Sequence, residues 1–509
     1  MAGKSPLVVV GDALLDRDLT GHADRLAPDA PVPVVADCAE RVRPGGAALA
    51  AWLAARDGRD VTLITGLDDG PAARELRRLL QPWLELIPLP MSGALPEKTR
   101  ILAQDRPVAR LDRGGGRVRG ATAAARAALA AAPAVLVSDY GRGAADALRE
   151  ELRRRPPVVW DPHPRGGPPT PGTRLVTPAR SEARGFAAGL SGDRPAPGAP
   201  GAHPDEATGP RSDLRTVTEE AAALVRHWRV GAVTVTLGAR GALLSYGEHP
   251  LLVPATADHH GDACGAGDRF AATAAGLLAD GALVGEAVEG AVTAASAFVG
   301  AGGAGALAGP SHPSGTPHSS GTPHGAGTSS HPSGTSHGAR ASAHPSGTPH
   351  PPGPPAPGDD PAAVIARVRA AGGTVVAAGG CFDLLHAGHV GLLQAARRIG
   401  DCLVVCVNSD ASVRRRKGEG RPVNPLADRV RVLRALACVD AVAVFDEDTP
   451  ERLLAELRPD VWVKGGDYAA AELPEAALLQ EWGGQAVLLP YLDGRSSTAL
   501  MARAAEGAR

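Results

Sequence analysis

The sequence predicts an α/β protein with two doubly wound domains in tandem. Three observations carry that prediction. Short apolar runs alternate with helical stretches in both halves of the chain, the β-then-α rhythm of a parallel sheet flanked by helices. At 509 residues the chain is too long for a single core. Between the two rhythmic halves, residues 309–360 consist largely of Pro, Gly, Ser, Thr and His, a composition that cannot form a core. The expected boundaries are therefore 1–308, a disordered linker over 309–360, and 361–509.

In the first half LVVVGD, VTLIT, AVLVSDY, PVVWDP, RLVTP and AVTVTLG read as buried strands, each followed by a polar or glycine-containing loop. Helices are expected over 144–154, 218–228 and 268–280. The segment 191–212, SGDRPAPGAPGAHPDEATGPRS, reads as a low-complexity insertion on the surface. The Ala-rich stretch from Phe270 to Gly309 is interrupted by Asp280, Glu286 and Glu289, so it reads as buried helices and not as a membrane span. In a doubly wound sheet, ligands bind at the carboxyl ends of the strands. Asp12, Asp139 and Asp161 fall there.

The linker repeats HPSGTPH at 312–318, HPSGTSH at 331–337 and HPSGTPH at 344–350. Repeat expansion in a flexible tether accounts for its seven histidines, with metal binding as the alternative. After it the rhythm restarts with TVVAAGG, a helix around HVGLLQAARRIG, and CLVVCVNSD. Helices near 425–437 and 450–457 then alternate with AVAVF and VWVKGG, enough for one Rossmann-like domain.

A formal charge of −2 and an aromatic content of 3% argue against nucleic-acid and membrane-surface partners. Six cysteines form no CxxC pair or zinc-like cluster, which fits free thiols in a reducing compartment. The N-terminus MAGKSPLVVVGD carries no leader pattern, so a cytoplasmic enzyme is expected. Lysine occurs only at 4, 98, 417 and 464. Arginine replaces lysine freely on a solvated face but not where a compact ammonium is required, so these positions draw attention.

The segment GDACGAGDRF at 261–270 leads into an apolar helix. Gly265 and Gly267, with Ala266 between them, let the backbone approach a phosphate, and the helix start aims amide donors at it. Asp268 stands where it can take the proton of a hydroxyl attacking the γ-phosphate of ATP. A glycine turn with an N-capping aspartate is the alternative.

In order, VVVGDALLDRDLTG, RLAPDAPVPVV, RPGGAALAAWLAARDG, KTRILAQDRPVARLD, SDYGRG and GDACGAGD resemble ribokinase-type sugar kinases. They resemble most the kinase half of the bifunctional heptose-7-phosphate kinase/heptose-1-phosphate adenylyltransferase family. The resemblance spans about 7–308 outside the insertion and implies a ribokinase-like fold. It implies Asp12, Gly45 and Gly46 in the sugar pocket, with Lys98 and Arg100 at the substrate phosphate. It places Ala179, Arg180, Ser181 and Glu182 around the nucleotide phosphates, Glu182 acting through magnesium, and Thr236 and Gly238 beside the nucleotide. Plainer readings are a strand-end cap for Asp12, a tight turn for the glycine pair, solvated charges for the basic pair, and a strand-to-turn junction for Thr236 and Gly238. Four positions depart from the family pattern: Leu49 and Ala179 replace asparagines, His163 a lysine, and Arg269 a small hydroxyl residue.

In AAGGCFDLLHAGHVGLLQAARRIGD, at 377–401, a strand ends in glycines and a loop delivers His386 and His389 to a helix start. Two imidazoles at that spacing can face one phosphate beside the positive end of the helix. They would stabilise the charge that builds on nonbridging oxygens during displacement at an α-phosphate. Capping histidines, or a zinc site with further ligands, are the alternatives. HAGH resembles the HxGH motif of cytidylyltransferase-like enzymes. VNSDASVRRRKGEGRPVNPLADRVRVLRAL, FDEDTPERLLAELRPDVWVKGGDY and DGRSSTALM follow in the order of the adenylyltransferase half of the same family. Lys417 is then a phosphate ligand and Arg429 a nucleotide-phosphate contact, with a solvated basic run and a surface ion pair as alternatives. Lys464 reads equally as structural or nucleotide-facing. Ser496, Ser497 and Thr498 would bind phosphate or cap a helix. Asp383 organises the loop.

The resemblance implies two ATP- and magnesium-dependent reactions on small sugar phosphates: phosphorylation of heptose 7-phosphate at C1, and conversion of heptose 1-phosphate to ADP-heptose and pyrophosphate. It also implies a homodimer formed through the kinase half. The competing functions are a degenerate kinase beside an active nucleotidyltransferase, a cytidylyltransferase for another alcohol phosphate, and a non-catalytic sugar-phosphate sensor.

Overall fold

The computed structural model describes residues 3–104, 106–190, 213–247, 250–256, 261–307, 360–465 and 474–490. The insertion at 191–212 and nearly all of the linker lie outside the described residues. In the first half the strands are β1 (Leu7–Gly11), β2 (Ala13–Ala27), β3 (Ala30–Gly46), β4 (Val61–Gly66), β5 (Glu85–Leu89), β6 (Met91–Ser92), β7 (Glu97–Ala103), β8 (Arg106–Arg113), β9 (Arg117–Val118), β10 (Val135–Ser138), β11 (Val159–Asp161), β12 (Leu175–Val176), β13 (Val233–Thr236), β14 (Ala242–Ser245) and β15 (Leu251–Val253). The second half holds β16 (Val375–Gly380), β17 (Cys402–Asn408), β18 (Ala441–Phe445), β19 (Val461–Gly465) and β20 (Gln485–Leu489).

The first central sheet runs β15-β14-β13-β12-β11-β10-β1-β4-β5, parallel except for the antiparallel β14. A strand buried on both faces reads as a continuous apolar run, and β1 shows why. Leu7 and Val9 enter one core while Val8 and Val10 enter the other. The helix Ala47–Arg56 is mostly alanine, which lets it lie close to the helix Ala266–Ala279, with Trp52 buried between the layers. The stretch expected as helix over 144–154 divides into Ala144–Ala147 and Arg149–Arg154 at the buried Leu148.

A second sheet, β3-β2-β7-β8, forms a lid that the apolar pattern does not announce. Its strands are held by charge. Asp16 stands in register with Lys98, and Asp18 with Arg100. The buried Arg43 on β3 is ion-paired to Asp18 and lies 3.8 Å from Asp16.

The second half is an all-parallel sheet, β18-β17-β16-β19-β20, whose order reverses between β16 and β19. Its edge strand β20 pairs in parallel with β15, Leu251 opposite Leu488, so that fourteen strands form one continuous sheet. The Leu488 amide donates to the Pro250 carbonyl at 3.2 Å, and Arg398 donates to the Ala255 carbonyl at 3.1 Å. No described helix is long and apolar enough to cross a membrane.

Candidate active sites

The first site gathers where the lid, the carboxyl ends of the central strands and the helix Ala266–Ala279 meet. That helix starts after Gly265, which has φ 80°, a left-handed conformation suited to glycine. A Cβ at Gly265 would meet Leu49 Cδ2 at 2.8 Å. Leu49 is fully buried, so this departure from the family pattern supplies packing beneath the loop.

Asp268 lies in the first helical turn and is buried. Burial pushes its carboxyl up to about 7; a hydrogen bond from Tyr140 opposes that shift, the charge of Asp16 adds to it, and Lys98 opposes it. A base with that affinity is half deprotonated near neutral pH. Arg269 turns away to an ion pair with Asp57 at 2.8 Å.

The sugar-pocket expectation needs one correction. The Asp12 carboxylate accepts from the amides of Tyr140, Arg142 and Ala144 at 3.1, 2.8 and 3.1 Å. It is committed to shaping the loop after β10. Asp12→Ala should therefore lower stability by about 3 kcal/mol or more, since three amides lose their acceptor; thermal unfolding of the full chain reads this directly. The acid that faces Asp268 is Asp16, which the motif reading passed over. Burial pushes it up to about 6 against the charges of Lys98 and Arg100. Gly45 is required beside it, because a Cβ there would meet Asp16 Oδ2 at 2.7 Å.

Gly46 lets the Tyr140 ring approach, and Lys98 lies over that ring at 5.8 Å from its centroid. Arg100 donates to Asp18 at 3.1 Å and to Cys264 Sγ at 3.1 Å, and it borders a cavity of about 810 Å³ together with Thr20, Arg41 and Asp262. Arg100 thus borders open space large enough for a sugar phosphate, while Lys98 lies over the Tyr140 ring.

A neighbouring apolar cavity of about 210 Å³ unites Thr236, Gly238, Ala266 and Gly267. The helix Val284–Gly300 closes it with Val292, Ala295, Ser296 and Val299, which sequence reasoning did not select. Small residues on that helix leave a slot suited to a planar base.

The TPARSE turn reaches this region through a bridge between Ala179 and Thr236. The Ala179 amide donates to Glu182 Oε2 at 2.9 Å, so the turn stays closed without an asparagine side chain. Glu182 is pushed up by burial, against that hydrogen bond. Asp161 is pushed well up by burial, reinforced by the charges of Asp268 and Glu182. Arg180 and Ser181 do not join the site: Arg180 is ion-paired to Glu220 on the helix Asp213–Trp228, and Ser181 is exposed.

The second site sits at the carboxyl ends of β16 and β19, where the strand order reverses, the expected place for a ligand in an open α/β sheet. His386 caps the helix Ala387–Arg397, its Nδ1 accepting from the Gly388 amide at 3.2 Å. The His386 and His389 rings stand 4.0 Å apart, and Phe382 packs edge-on to His389 at 5.4 Å. Phe382 itself has φ 45°, backbone strain of the kind found where a site fixes a side chain. Burial, with the charges of His386 and Lys417, lowers His389 to about 4. It therefore meets a ligand as a neutral imidazole.

Beside the pair, Gly379, Gly380, Cys381, Asn408, Lys417 and Lys464 line a cavity of about 400 Å³ with Trp462 at its wall. Lys417 reaches Cys381 Sγ at 2.9 Å, and Lys464 lies 3.7 Å from Glu475. Asp383 accepts from the amides of Val423 and Asn424 at 2.7 and 3.0 Å, tying the loop to the chain ahead of Arg429.

Arg429 is a correction. It is buried and donates to the carbonyls of Cys381 and Asn424 and to Asp410, at 2.7, 3.1 and 2.7 Å. Its guanidinium braces the loop and does not reach for a phosphate. Ser496, Ser497 and Thr498 lie outside the described residues.

Family models match in both halves: pfkB family carbohydrate kinase over residues 203–309 and cytidylyltransferase-like over 377–498. The bifunctional protein HldE of Streptomyces coelicolor is 72% identical, with 99% of this chain and 98% of that protein covered. The bifunctional protein HldE of Azorhizobium caulinodans is 36% identical, with 98% of each covered. A solved ribokinase of Arabidopsis thaliana, complexed with ribose and ATP, is 19% identical, covering 58% of this chain and 93% of that one with a TM-score of 0.43.

Proposed function

Because the chain belongs to the family of the bifunctional proteins HldE, we propose that it makes ADP-heptose from heptose phosphates in two separate ATP-dependent steps. The observation that carries this reading is the pairing, in one chain, of a buried carboxylate at a glycine-rich helix start with an HxGH pair at a strand-order reversal.

In the first step the C1 hydroxyl of heptose 7-phosphate attacks the γ-phosphorus of ATP. A new O–P bond forms, the bond from the γ-phosphorus to the β–γ bridging oxygen breaks, and ADP leaves. The hydroxyl proton passes to Asp268. Asp16 and Gly45 border the sugar, while Lys98 and Arg100 meet its phosphate. The amides at Ala266 and Gly267 hold the nucleotide phosphates at the helix N-terminus. After a phosphatase reaction has removed the 7-phosphate, a phosphate oxygen of heptose 1-phosphate attacks the α-phosphorus of a second ATP. The bond from the α-phosphorus to its bridging oxygen breaks and pyrophosphate departs. That nucleophile is already an anion, so no side-chain base is needed. His386 and His389 donate to the nonbridging oxygens, with Lys417 nearby.

Magnesium suits both steps, since it needs only one or two protein carboxylates besides substrate phosphates. Glu182 and Asp161 fit that role in the kinase, because the negative charge around Asp161 is what a cation would relieve. When bound, the metal would neutralise charge on the transferring phosphoryl group. Both reactions belong in the cytoplasm, where ATP is supplied.

A homodimer through the lid completes the reading. The lid exposes Leu26, Val32, Val108 and Leu111, and β8 is exposed along its length. A Val108→Asp/Leu111→Asp double variant should elute as a monomer where the native chain elutes as a dimer, by light scattering coupled to size exclusion.

The deciding assay gives the full chain ATP or CTP with heptose 7-phosphate, then with heptose 1-phosphate, following ADP and pyrophosphate separately. ATP-dependent signals in both supports the proposal. Preference for CTP in the second, or no ADP in the first, overturns the corresponding half.

A further inference from the structure

We propose that Tyr140 is a positioning residue for phosphoryl transfer, fixing the Asp268 carboxylate by one oxygen and joining that grip to the lid through Lys98. The inference rests on the reading of Asp268 as the base. Its starting point is a hydrogen bond from the Tyr140 hydroxyl to Asp268 Oδ1 at 3.0 Å. Asp268 Oδ2 receives no hydrogen bond from any described residue, which leaves that oxygen for a substrate hydroxyl.

Tyr140 is itself anchored from several directions. Its amide donates to Asp12 Oδ2 at 3.1 Å, so the loop after β10 cannot shift without breaking the Asp12 cluster. Its ring packs at 5.7 Å from His163, centroid to centroid, and passes 3.3 Å from where a Cβ at Gly46 would stand. The other face of the chemistry comes from the lid, where Lys98 on β7 lies 5.8 Å from the ring centroid. One aromatic side chain therefore joins the base, Gly46 and a basic group on the lid. A carboxylate held at a fixed rotamer reaches its near-attack position without a search.

The hydrogen bond has a definite electrostatic sign. A donor to a carboxylate favours the charged form, so removing it raises the proton affinity of Asp268. The other groups bearing on Asp268 are Asp16 on β2, Lys98 on β7, and Asp161 on β11 with Glu182 beyond it; Arg269 is paired elsewhere. Those remain in place when only the phenolic oxygen is removed.

The test uses the full chain carrying Tyr140→Phe, with Asp268→Asn beside it, and follows ADP release against pH with heptose 7-phosphate. The Phe variant retains the ring and its approach to Lys98. It should lose about tenfold in kcat, a fraction of what a general base contributes, with the KM for ATP little changed. The acid limb of kcat/KM should move to higher pH, so the loss is greater at pH 6.5 than at 8.5. A second variant guards against a folding artefact: 3,5-difluorotyrosine at 140 keeps the shape and strengthens the donor, and should move the limb to lower pH. An unchanged limb in both variants overturns the proposal. If Asp268→Asn retains turnover, the base is misassigned and the proposal falls with it, an outcome distinct from an inert Tyr140.

Discussion

Asp268→Asn is expected to lower ADP release by about 10³-fold while pyrophosphate release from heptose 1-phosphate stays within twofold of the native chain. The magnitude is that of a general base in a positioned site. Asparagine keeps the shape and can still meet the Tyr140 hydroxyl, so the loss isolates the missing proton acceptor. The native kinase should also gain rate as pH rises through about 7, where burial has placed this carboxyl. Below that pH the base is protonated and cannot accept; above it the rate levels off.

His389→Ala is expected to act in the opposite compartment, cutting pyrophosphate release by about 10²–10³-fold, the usual cost of one preorganised donor to a developing oxyanion. ADP release should be unaffected. The pH response should differ as well. His389 is held near 4 and stays neutral from pH 6 to 8, so its protonation gives no step in that window. One preparation measured across the same buffers should thus show a rising kinase and no histidine-linked step in the nucleotidyltransferase. If the nucleotidyltransferase instead lost its rate as pH rose through 6.5, a charged imidazole would be doing the work.

Much of this was legible because two kinds of signal are local. Buried parallel strands are continuous apolar runs, so β1, β4, β10 to β13 and β16 to β19 announce themselves. The glycine loop before Asp268 and the HAGH turn also carry their chemistry within a few residues. The lid was not legible in the same way, because β3 and β8 are largely exposed and its buried positions include Asp16, Asp18, Arg43 and Thr99 in place of a continuous apolar run. Its code lies in the cross-strand match of Asp16-Arg-Asp18 to Lys98-Thr-Arg100, visible only once the register is known. Asp12 and Asp16 are likewise indistinguishable in the stretch GDALLD, and only the fold shows that one binds amides while the other lies beside Gly45 and acts on Asp268. Arg429 fails for a related reason. A lone arginine on a predicted helix looks available until three acceptors are found around it. Tyr140 stands within SDYGRG, but its partner lies 128 positions away in sequence, beyond the reach of a local motif.

The pairing of β15 with β20 bears on what residues 309–360, expected from their composition to link the halves, need to do. If the join is the strand seam itself, the tether needs only to keep the two pieces in one molecule. Its length and repeats can then drift with little effect on either reaction. Severing it should leave the pieces together on a gel-filtration column. Expressing either half alone, by contrast, would uncover a bare edge at Leu251–Val253 or Gln485–Leu489. Such an edge recruits other strands, so solitary halves should be sticky, and mixing them should restore good behaviour by letting each cover the other.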